Sequence, residues 1–168
     1  MKIGILGGSF DPAHKGHLAM SKEAKKRFKL EKIIWAITKK NPLKAESKTP
    51  VSKKIKDCKK IIGMNSYIKV KFYENIIKSN KTIDLINYLQ RNKNIEIFFL
   101  MGADNLINFH KWHKSKLISQ KCNIIVFDRH GYKKNSLKSK TFKSLNNKTL
   151  TFVEFKKVNI SSSQLRKI

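Results

Sequence analysis

The chain has 168 residues, of which 40% are hydrophobic, and its 38 basic and 11 acidic residues give a formal net charge of +27. A chain of this length can bury the core of one domain without disulfides or a structural metal. Its two cysteines, Cys58 and Cys122, form no C-x-x-C pair of the kind that predicts a zinc or redox site. No apolar run approaches the roughly 18 residues that a membrane helix needs, and the first run is too short for a signal peptide, so we expect a single cytoplasmic domain over residues 1–168.

Short apolar runs alternate with helical patterns along the whole chain. Strands are predicted at residues 2–6, 32–37, 67–72, 95–101, 122–127 and 150–155. Helical spacing of apolar residues, or a proline in the first turn, predicts helices at residues 17–28, 50–64 and 82–91. This order predicts an α/β fold in which an open parallel sheet carries helices on both faces.

Two longer polar stretches interrupt the pattern. Residues 38–49 follow the second predicted strand, and open α/β sheets bind ligands where their strands end. Residues 128–149 precede the last strand and are predicted to form a surface excursion.

The strongest local signal is the segment from Gly7 to His17, GGSFDPAHKGH, which follows the first strand and opens the first helix. Gly7 and Gly8 allow the backbone to approach a phosphate chain without a Cβ in the way. The helix start beyond them offers N–H groups and a partial positive charge to an anion. His14 and His17 are three apart, so in a first helical turn they point to the same side, where each imidazole can donate to a phosphate oxygen. The segment therefore predicts a phosphate-binding site.

Simpler interpretations of this segment remain open from the residues alone. A glycine pair is often only a turn, and a His-x-x-His pair is also a metal-binding pattern. No carboxylate or third histidine follows at a metalloprotease spacing, so phosphate binding is favoured over a metal site.

The same segment resembles the signature of the HxGH nucleotidylyltransferases, and it is most similar to that of the bacterial nicotinate-nucleotide adenylyltransferases. Four further motifs continue the resemblance in order: NPLK at 41–44, TIDLI at 82–86, GADN at 102–105 followed by Trp112 and His113, and ISSSQLR at 160–166. The resemblance implies a Rossmann-like fold. It also implies transfer of the adenylyl group of ATP to nicotinate mononucleotide, with release of pyrophosphate.

Most of the site that the resemblance implies belongs to ATP. His14 and His17 are the predicted catalytic residues and contact the triphosphate, beside a Mg²⁺ ion held mainly by the substrate phosphates. Arg166 and Ser162 are expected to hold the β and γ phosphates, and Asp104 the ribose hydroxyls unless it only caps a short helix. The predicted ATP-binding residues are Gly7, Gly8, Ser9, Phe10, Gly16, Gly102, Asp104, Ile160, Ser161, Ser162 and Arg166.

The resemblance assigns three residues to nicotinate mononucleotide. Lys44 is expected to meet its phosphate, Thr82 to contact the nicotinate end, and Trp112 to offer a flat face to the aromatic ring. Trp112 is otherwise a candidate core residue and Thr82 a candidate helix cap. The chain has Lys81 where the family commonly has tyrosine and Leu85 where it has threonine, so the nicotinate end is the least determined part of the site.

Two other functions fit part of the sequence. A related HxGH enzyme, such as phosphopantetheine adenylyltransferase or nicotinamide mononucleotide adenylyltransferase, would use a similar phosphate site with another acceptor. A basic RNA-binding protein that kept the fold without the chemistry would account for the charge. However, only four basic residues are arginine and lysine is spread over every segment, which favours a diffuse bias in residue usage. ATP and nicotinate mononucleotide are therefore the expected partners, with no membrane partner; the oligomeric state is left open.

Overall fold

Six strands form one parallel sheet within residues 1–39, 48–92, 94–128, 132–145 and 149–154, the parts of the chain that the computed structural model describes. They are β1 (Lys2–Gly8), β2 (Lys32–Ile37), β3 (Ile68–Lys71), β4 (Glu96–Gly102), β5 (Asn123–Phe127) and β6 (Leu150–Val153). Their order across the sheet is β3-β2-β1-β4-β5-β6, and every neighbouring pair is parallel. The predicted parallel sheet is therefore confirmed, with each strand within two residues of its predicted bounds.

Helices lie between the strands, as a parallel sheet requires. Those in the described residues are α1 (Lys15–Phe28), α2 (Val51–Ile62), α3 (Glu74–Ile77), α4 (Thr82–Leu89), α5 (Ala103–Asn108), α6 (Ser115–Lys121), α7 (Lys133–Leu137) and α8 (Lys140–Leu145), with a 3-10 turn at Phe109–Lys111. None of these helices is long and apolar enough to cross a membrane.

The alternation of side chains along β1 builds one core on each face of the sheet. Leu6 belongs to the first core, together with Ala24 of α1. Ile5 points the other way into the second core, which contains Ile86 of α4 and Leu106 of α5. Helices therefore cover both faces, as the strand–helix alternation predicts.

The two cysteines are buried in different cores, Cys58 in the first and Cys122 in the second. Both are free thiols. Burial raises the pKa of each thiol to about 12. Because the thiolate is the nucleophilic form, neither cysteine is a candidate catalytic group.

The predicted surface excursion at 128–149 was wrong for its central part. Residues 132–145 contain α7 and α8, and Phe142 and Leu145 of α8 pack on the second core. Ser139 caps α8, since its hydroxyl oxygen accepts a hydrogen bond from the N–H of Phe142 at 3.1 Å. Two apolar residues in a run of lysine, serine and asparagine were too weak a pattern to predict this helix from periodicity.

Candidate active site

The predicted phosphate-binding segment lies at the C-terminal edge of the sheet, between the end of β1 at Gly8 and the start of α1 at Lys15. β1 pairs with β2 on one side and with β4 on the other. The chain order reverses between β1 and β4, and open α/β sheets bind their ligands at such a switch point.

His14 and His17 cap the first turn of α1 with their own side chains. His14 is the N-cap residue, and its Nδ1 accepts a hydrogen bond from the N–H of Gly16 at 3.1 Å. His17 reaches back, and its Nδ1 accepts from the N–H of His14 at 3.1 Å. This is a capping box built from two imidazoles in place of the usual serine and glutamate. It explains why α1 begins at Lys15, two residues before the predicted start.

The capping bonds determine which nitrogen of each imidazole carries the proton. An Nδ1 that accepts a hydrogen bond holds no proton in the neutral ring, so Nε2 is the donor in both residues. The two ring centroids are 3.8 Å apart with an interplanar angle of 30°. The prediction that the two side chains lie on the same side of the helix start is therefore confirmed.

The helix start around these histidines favours an anion. The first turn of α1 contains Lys15 and no acidic residue, so no carboxylate of that turn offsets the partial positive charge of the helix N-terminus. Gly16 is buried in this turn, and its N–H already donates to His14. Gly16 therefore acts on the site by orienting an imidazole.

Phe10 turns the chain from β1 towards α1. Its φ of 49° is in the left-handed region, which costs an L-residue about 1–2 kcal/mol. The ring is 2% exposed, stacked on Trp35 at 5.2 Å and tilted against His17 at 4.6 Å. Burial of this ring offsets the backbone cost and places an aromatic wall behind His17.

Trp35 of β2 supports His17 through a second route. Its Nε1–H donates to the hydroxyl of Ser21 at 2.8 Å, and that hydroxyl donates to the backbone carbonyl of His17 at 2.8 Å. Trp35 is fully buried. Through Ser21 it links the sheet to the backbone of His17 in the first turn of α1. Sequence reasoning missed this role, because a tryptophan in an apolar strand and a serine in a helix carry no signal that they meet.

The end of β4 brings two more predicted residues to the switch point. Leu6 of β1 is opposite Leu100 of β4, and Gly8 and Gly102 each lie two residues further along, at the C-terminal ends of neighbouring strands. The N-cap of α5 is Gly102, so Asp104 is the second residue of that helix and is half-buried. The alternative that Asp104 serves as the helix cap is therefore wrong.

Thr82 and Trp112 lie on the second face of the sheet. Thr82 is the first residue of α4, whose N-cap is Lys81, so Thr82 does not cap the helix. Trp112 is half-buried; its ring packs edge-on against Phe99 at 5.8 Å and is tilted against Phe109 at 5.1 Å. Trp112 is thus partly a core residue, and the proposed ring contact uses the part of it that stays accessible.

Several predicted residues lie outside the described part of the chain, and their roles stay predictions. Ser9 is described and is half-buried between Gly8 and Phe10. The residues outside are Lys44, Ile160, Ser161, Ser162 and Arg166.

One further contact ties the segment to a neighbouring element. The hydroxyl of Thr49 donates to Oδ1 of Asp11 at 2.6 Å, which connects the segment before α1 to the residues before α2. No sequence pattern predicts this pair, because the two residues are 38 positions apart along the chain.

Comparison with known sequences places the chain in a family. Residues 5–168 match the family model described as cytidylyltransferase-like. A protein of Pelagibacter ubique named probable nicotinate-nucleotide adenylyltransferase is 67% identical over 167 residues, which are 99% of this chain and 93% of that protein. A Brucella abortus protein of the same name is 30% identical and covers 100% of this chain and 95% of its own length.

Solved structures share the fold. The nicotinic acid mononucleotide adenylyltransferase of Plasmodium falciparum, complexed with NaAD, matches with a TM-score of 0.76 over 99% of this chain and 82% of that chain, at 21% identity. A second structure of that enzyme, complexed with APC, has a TM-score of 0.78 at 23% identity. These structures support the Rossmann-like sheet, and the sequence matches carry the family assignment. The chain belongs to the cytidylyltransferase-like family and, within it, to the nicotinate-nucleotide adenylyltransferases.

Proposed function

We propose that this protein transfers the adenylyl group of ATP to nicotinate mononucleotide, giving nicotinate adenine dinucleotide and pyrophosphate, a step of NAD biosynthesis. The observation that carries the proposal is the pair of imidazoles at the start of α1, each with its Nδ1 held by a backbone N–H and its proton on Nε2. They lie beyond a strand that ends in two glycines, at the switch point of the sheet.

The reaction needs no side-chain nucleophile. A phosphate oxygen of nicotinate mononucleotide forms a bond to the α-phosphorus of ATP, and the bond from that phosphorus to the oxygen of the β-phosphate breaks. The electron pair leaves with pyrophosphate. The attacking oxygen is already anionic, so catalysis consists of alignment and of donors that meet the charge growing on the phosphate oxygens.

His14 and His17 supply such donors. Their rings lie 3.8 Å apart at the helix start, and the capping bonds to Nδ1 make Nε2 the donor of each neutral ring. Donors fixed before the substrate binds need no reorganisation during the reaction, which is what makes them effective. We assign both imidazoles to the triphosphate, where negative charge increases as pyrophosphate leaves.

The remaining ATP contacts are assigned by position. Gly7 and Gly8 at the end of β1, with Ser9 and the Phe10 backbone after it, are assigned to the triphosphate. Gly102 at the end of β4 and Asp104 in α5 are assigned to the adenosine side. Asp104 is half-buried and has a carboxylate suited to ribose hydroxyls. In the C-terminal motif, Arg166 and Ser162 are proposed to hold the β and γ phosphates, and Ile160 and Ser161 are proposed as further ATP contacts.

The acceptor is assigned to Lys44, Thr82 and Trp112. Thr82 has a hydroxyl that does not serve as the α4 cap, and Trp112 has a half-buried ring whose orientation is fixed by Phe99 and Phe109. A ring held in this way offers a rigid face to an aromatic ligand.

A Mg²⁺ ion is expected to enter with the substrate phosphates, where it neutralises negative charge on their oxygens. In the described parts of the chain no group of three or more His, Cys, Asp and Glu side chains is arranged to hold a metal. We assign the ion to the nucleotide, as the family resemblance implies, and we expect its removal by a chelator to abolish turnover without unfolding the protein.

Gly8→Ala should weaken ATP binding while leaving the fold intact. Gly8 has no positive φ, and a Cβ there would meet only Phe10 atoms at 3.7 Å or more, an ordinary contact. The added methyl would instead occupy the side from which a phosphate chain approaches. We expect the KM for ATP to rise roughly ten-fold or more, with an unchanged melting temperature.

Gly4→Ala is the matched control in the same strand. A Cβ at Gly4 would lie 2.9 Å from Cδ1 of Leu30 and 3.2 Å from Cγ1 of Ile33, so this variant should lose stability and keep its KM for ATP. If Gly8→Ala behaves like Gly4→Ala, losing stability and not ATP affinity, then Gly8 does not contact the nucleotide.

The substrate is tested by pyrophosphate release with ATP and Mg²⁺. Nicotinate mononucleotide, nicotinamide mononucleotide and phosphopantetheine are supplied in parallel as acceptors. We expect a strong preference for nicotinate mononucleotide. Faster turnover with either of the other two acceptors would contradict the assignment of nicotinate mononucleotide and leave the phosphate site standing. No pyrophosphate release with any of the three, from a folded protein that binds ATP, would contradict the proposed activity.

A further inference from the structure

Both polar atoms of one peptide group at the end of β2 are bound by charged side chains from other elements. The group joins Thr38 to Lys39. Its carbonyl oxygen accepts from Nζ of Lys54 in α2 at 3.4 Å, and its N–H donates to Oε1 of Glu74 at the start of α3 at 3.0 Å. A peptide group held at both ends cannot rotate without breaking a charge-assisted hydrogen bond.

The side chain of Thr38 adds a third contact to this arrangement. Its hydroxyl donates to the other carboxylate oxygen of Glu74, Oε2, at 2.6 Å. Each carboxylate oxygen of Glu74 thus accepts one hydrogen bond, from two consecutive residues, Thr38 and Lys39. Lys54 is only 1% exposed, and a lysine is so deeply buried only where its charge is compensated.

The same residue is attached to the phosphate-binding segment. The N–H of Thr38 donates to the carbonyl oxygen of Gly8 at 2.8 Å, which continues the β1–β2 ladder one step past the strands. Thr38 therefore connects Gly8, Glu74 and Lys54, which belong to three different elements. None of these contacts follows from a motif in the sequence.

The position of this anchor in the sheet indicates which substrate it serves. β2 lies on one side of β1 and β4 on the other, and the adenosine side is assigned to Gly102 at the end of β4 and to Asp104 in α5. Thr38 and Lys39 lie at the opposite side, directly before the NPLK motif at 41–44 in the sequence.

We infer that Glu74 and Lys54, acting through Thr38, are positioning residues for the acceptor mononucleotide: they fix the direction in which the chain leaves β2 beside Gly8. The inference rests on the proposed function. It predicts that loss of the anchor affects the acceptor far more than ATP, because the backbone bond from Thr38 to Gly8 does not depend on the side chain.

The test compares two substitutions of nearly equal size in the full-length protein. Thr38→Val removes the hydroxyl and keeps the branched shape, and Thr38→Ser keeps the hydroxyl. We expect Thr38→Val to raise the KM for nicotinate mononucleotide roughly ten-fold and to change the KM for ATP by less than about two-fold. Thr38→Ser should stay close to the wild type in both constants.

Glu74→Gln gives an independent readout. Its amide is neutral, so the bond from the Lys39 N–H loses its charge-assisted acceptor and becomes weaker; amide hydrogen exchange at Lys39 should therefore become faster than in the wild type at equal melting temperature. Equal rises in both KM values, no rise in either, or a Thr38→Ser variant as impaired as Thr38→Val would each overturn the inference.

Failure of the proposed function would look different. In that case the wild-type protein itself would release no pyrophosphate with nicotinate mononucleotide. The exchange measurement at Lys39 would still show whether Glu74 holds this peptide group, and unchanged exchange in Glu74→Gln would overturn the anchor on its own.

Discussion

His17→Ala should reduce turnover roughly 10²- to 10³-fold, the usual loss when one transition-state donor is removed. The Nε2–H of His17 is aimed by a bond from the N–H of His14 to Nδ1 at 3.1 Å and by contact with the Phe10 ring at 4.6 Å. A donor that acts mainly in the transition state lowers kcat more than it raises the KM for ATP. The measurement is the steady-state rate of pyrophosphate release at saturating ATP and nicotinate mononucleotide.

His17 also caps α1, so the alanine variant alone would not separate catalysis from stability. His17→Gln is the matched control, because glutamine at the third position of a helix accepts the same capping bond. We expect His17→Gln to keep the melting temperature of the wild type and to remain well below it in turnover, since the amide does not place a donor where Nε2 lies. A glutamine variant with wild-type turnover would show that His17 only caps the helix.

Trp35→Ala should cause the largest loss of stability, about 3–5 kcal/mol in the free energy of unfolding. The side chain is fully buried, its ring stacks on Phe10 at 5.2 Å, and its Nε1–H donates to Ser21 at 2.8 Å. Turnover of the molecules that stay folded should also fall, because the support of His17 through Ser21 and Phe10 is lost. Chemical denaturation measures the first effect, and pyrophosphate release at low temperature the second.

Ile118→Ala provides the comparison for this second effect. Ile118 is fully buried in the second core, away from α1, and its truncation should cost about 2–5 kcal/mol. Both variants should lose stability, and only Trp35→Ala should lose turnover per folded molecule. If the two variants lose turnover equally, Trp35 has no specific effect on the site.

The sheet could be predicted from the sequence because its signal is repeated along the chain. Each strand is a short apolar run, and the motif from Gly7 to His17 marks the strand-to-helix turn for which phosphate binding is proposed. The place of the site follows from parallel topology alone, since every strand ends at the same edge. Helix α8, which Ser139 caps, could not be predicted in this way, because its two apolar core residues are too few to show a helical period.

The contacts that orient the site could not be predicted, for a physical reason. The bonds from Trp35 to Ser21 and from Thr38 to Glu74 join residues 14 and 36 positions apart, and a hydrogen bond between distant residues leaves no periodic pattern. The capping of α1 by two histidines was hidden in another way. Histidine is a rare capping residue. The sequence therefore predicts phosphate binding by the pair and does not predict that the two side chains cap the helix.

The most direct test of adenylyl transfer follows the phosphate oxygens of the acceptor. Nicotinate mononucleotide carrying a heavy oxygen isotope in its phosphate is incubated with the purified protein, unlabelled ATP and Mg²⁺, and both products are analysed by mass spectrometry. Attack on the α-phosphorus predicts a dinucleotide that retains every labelled oxygen and a pyrophosphate that carries none. Label in the pyrophosphate, or ATP consumption without a labelled dinucleotide, would contradict the proposed reaction.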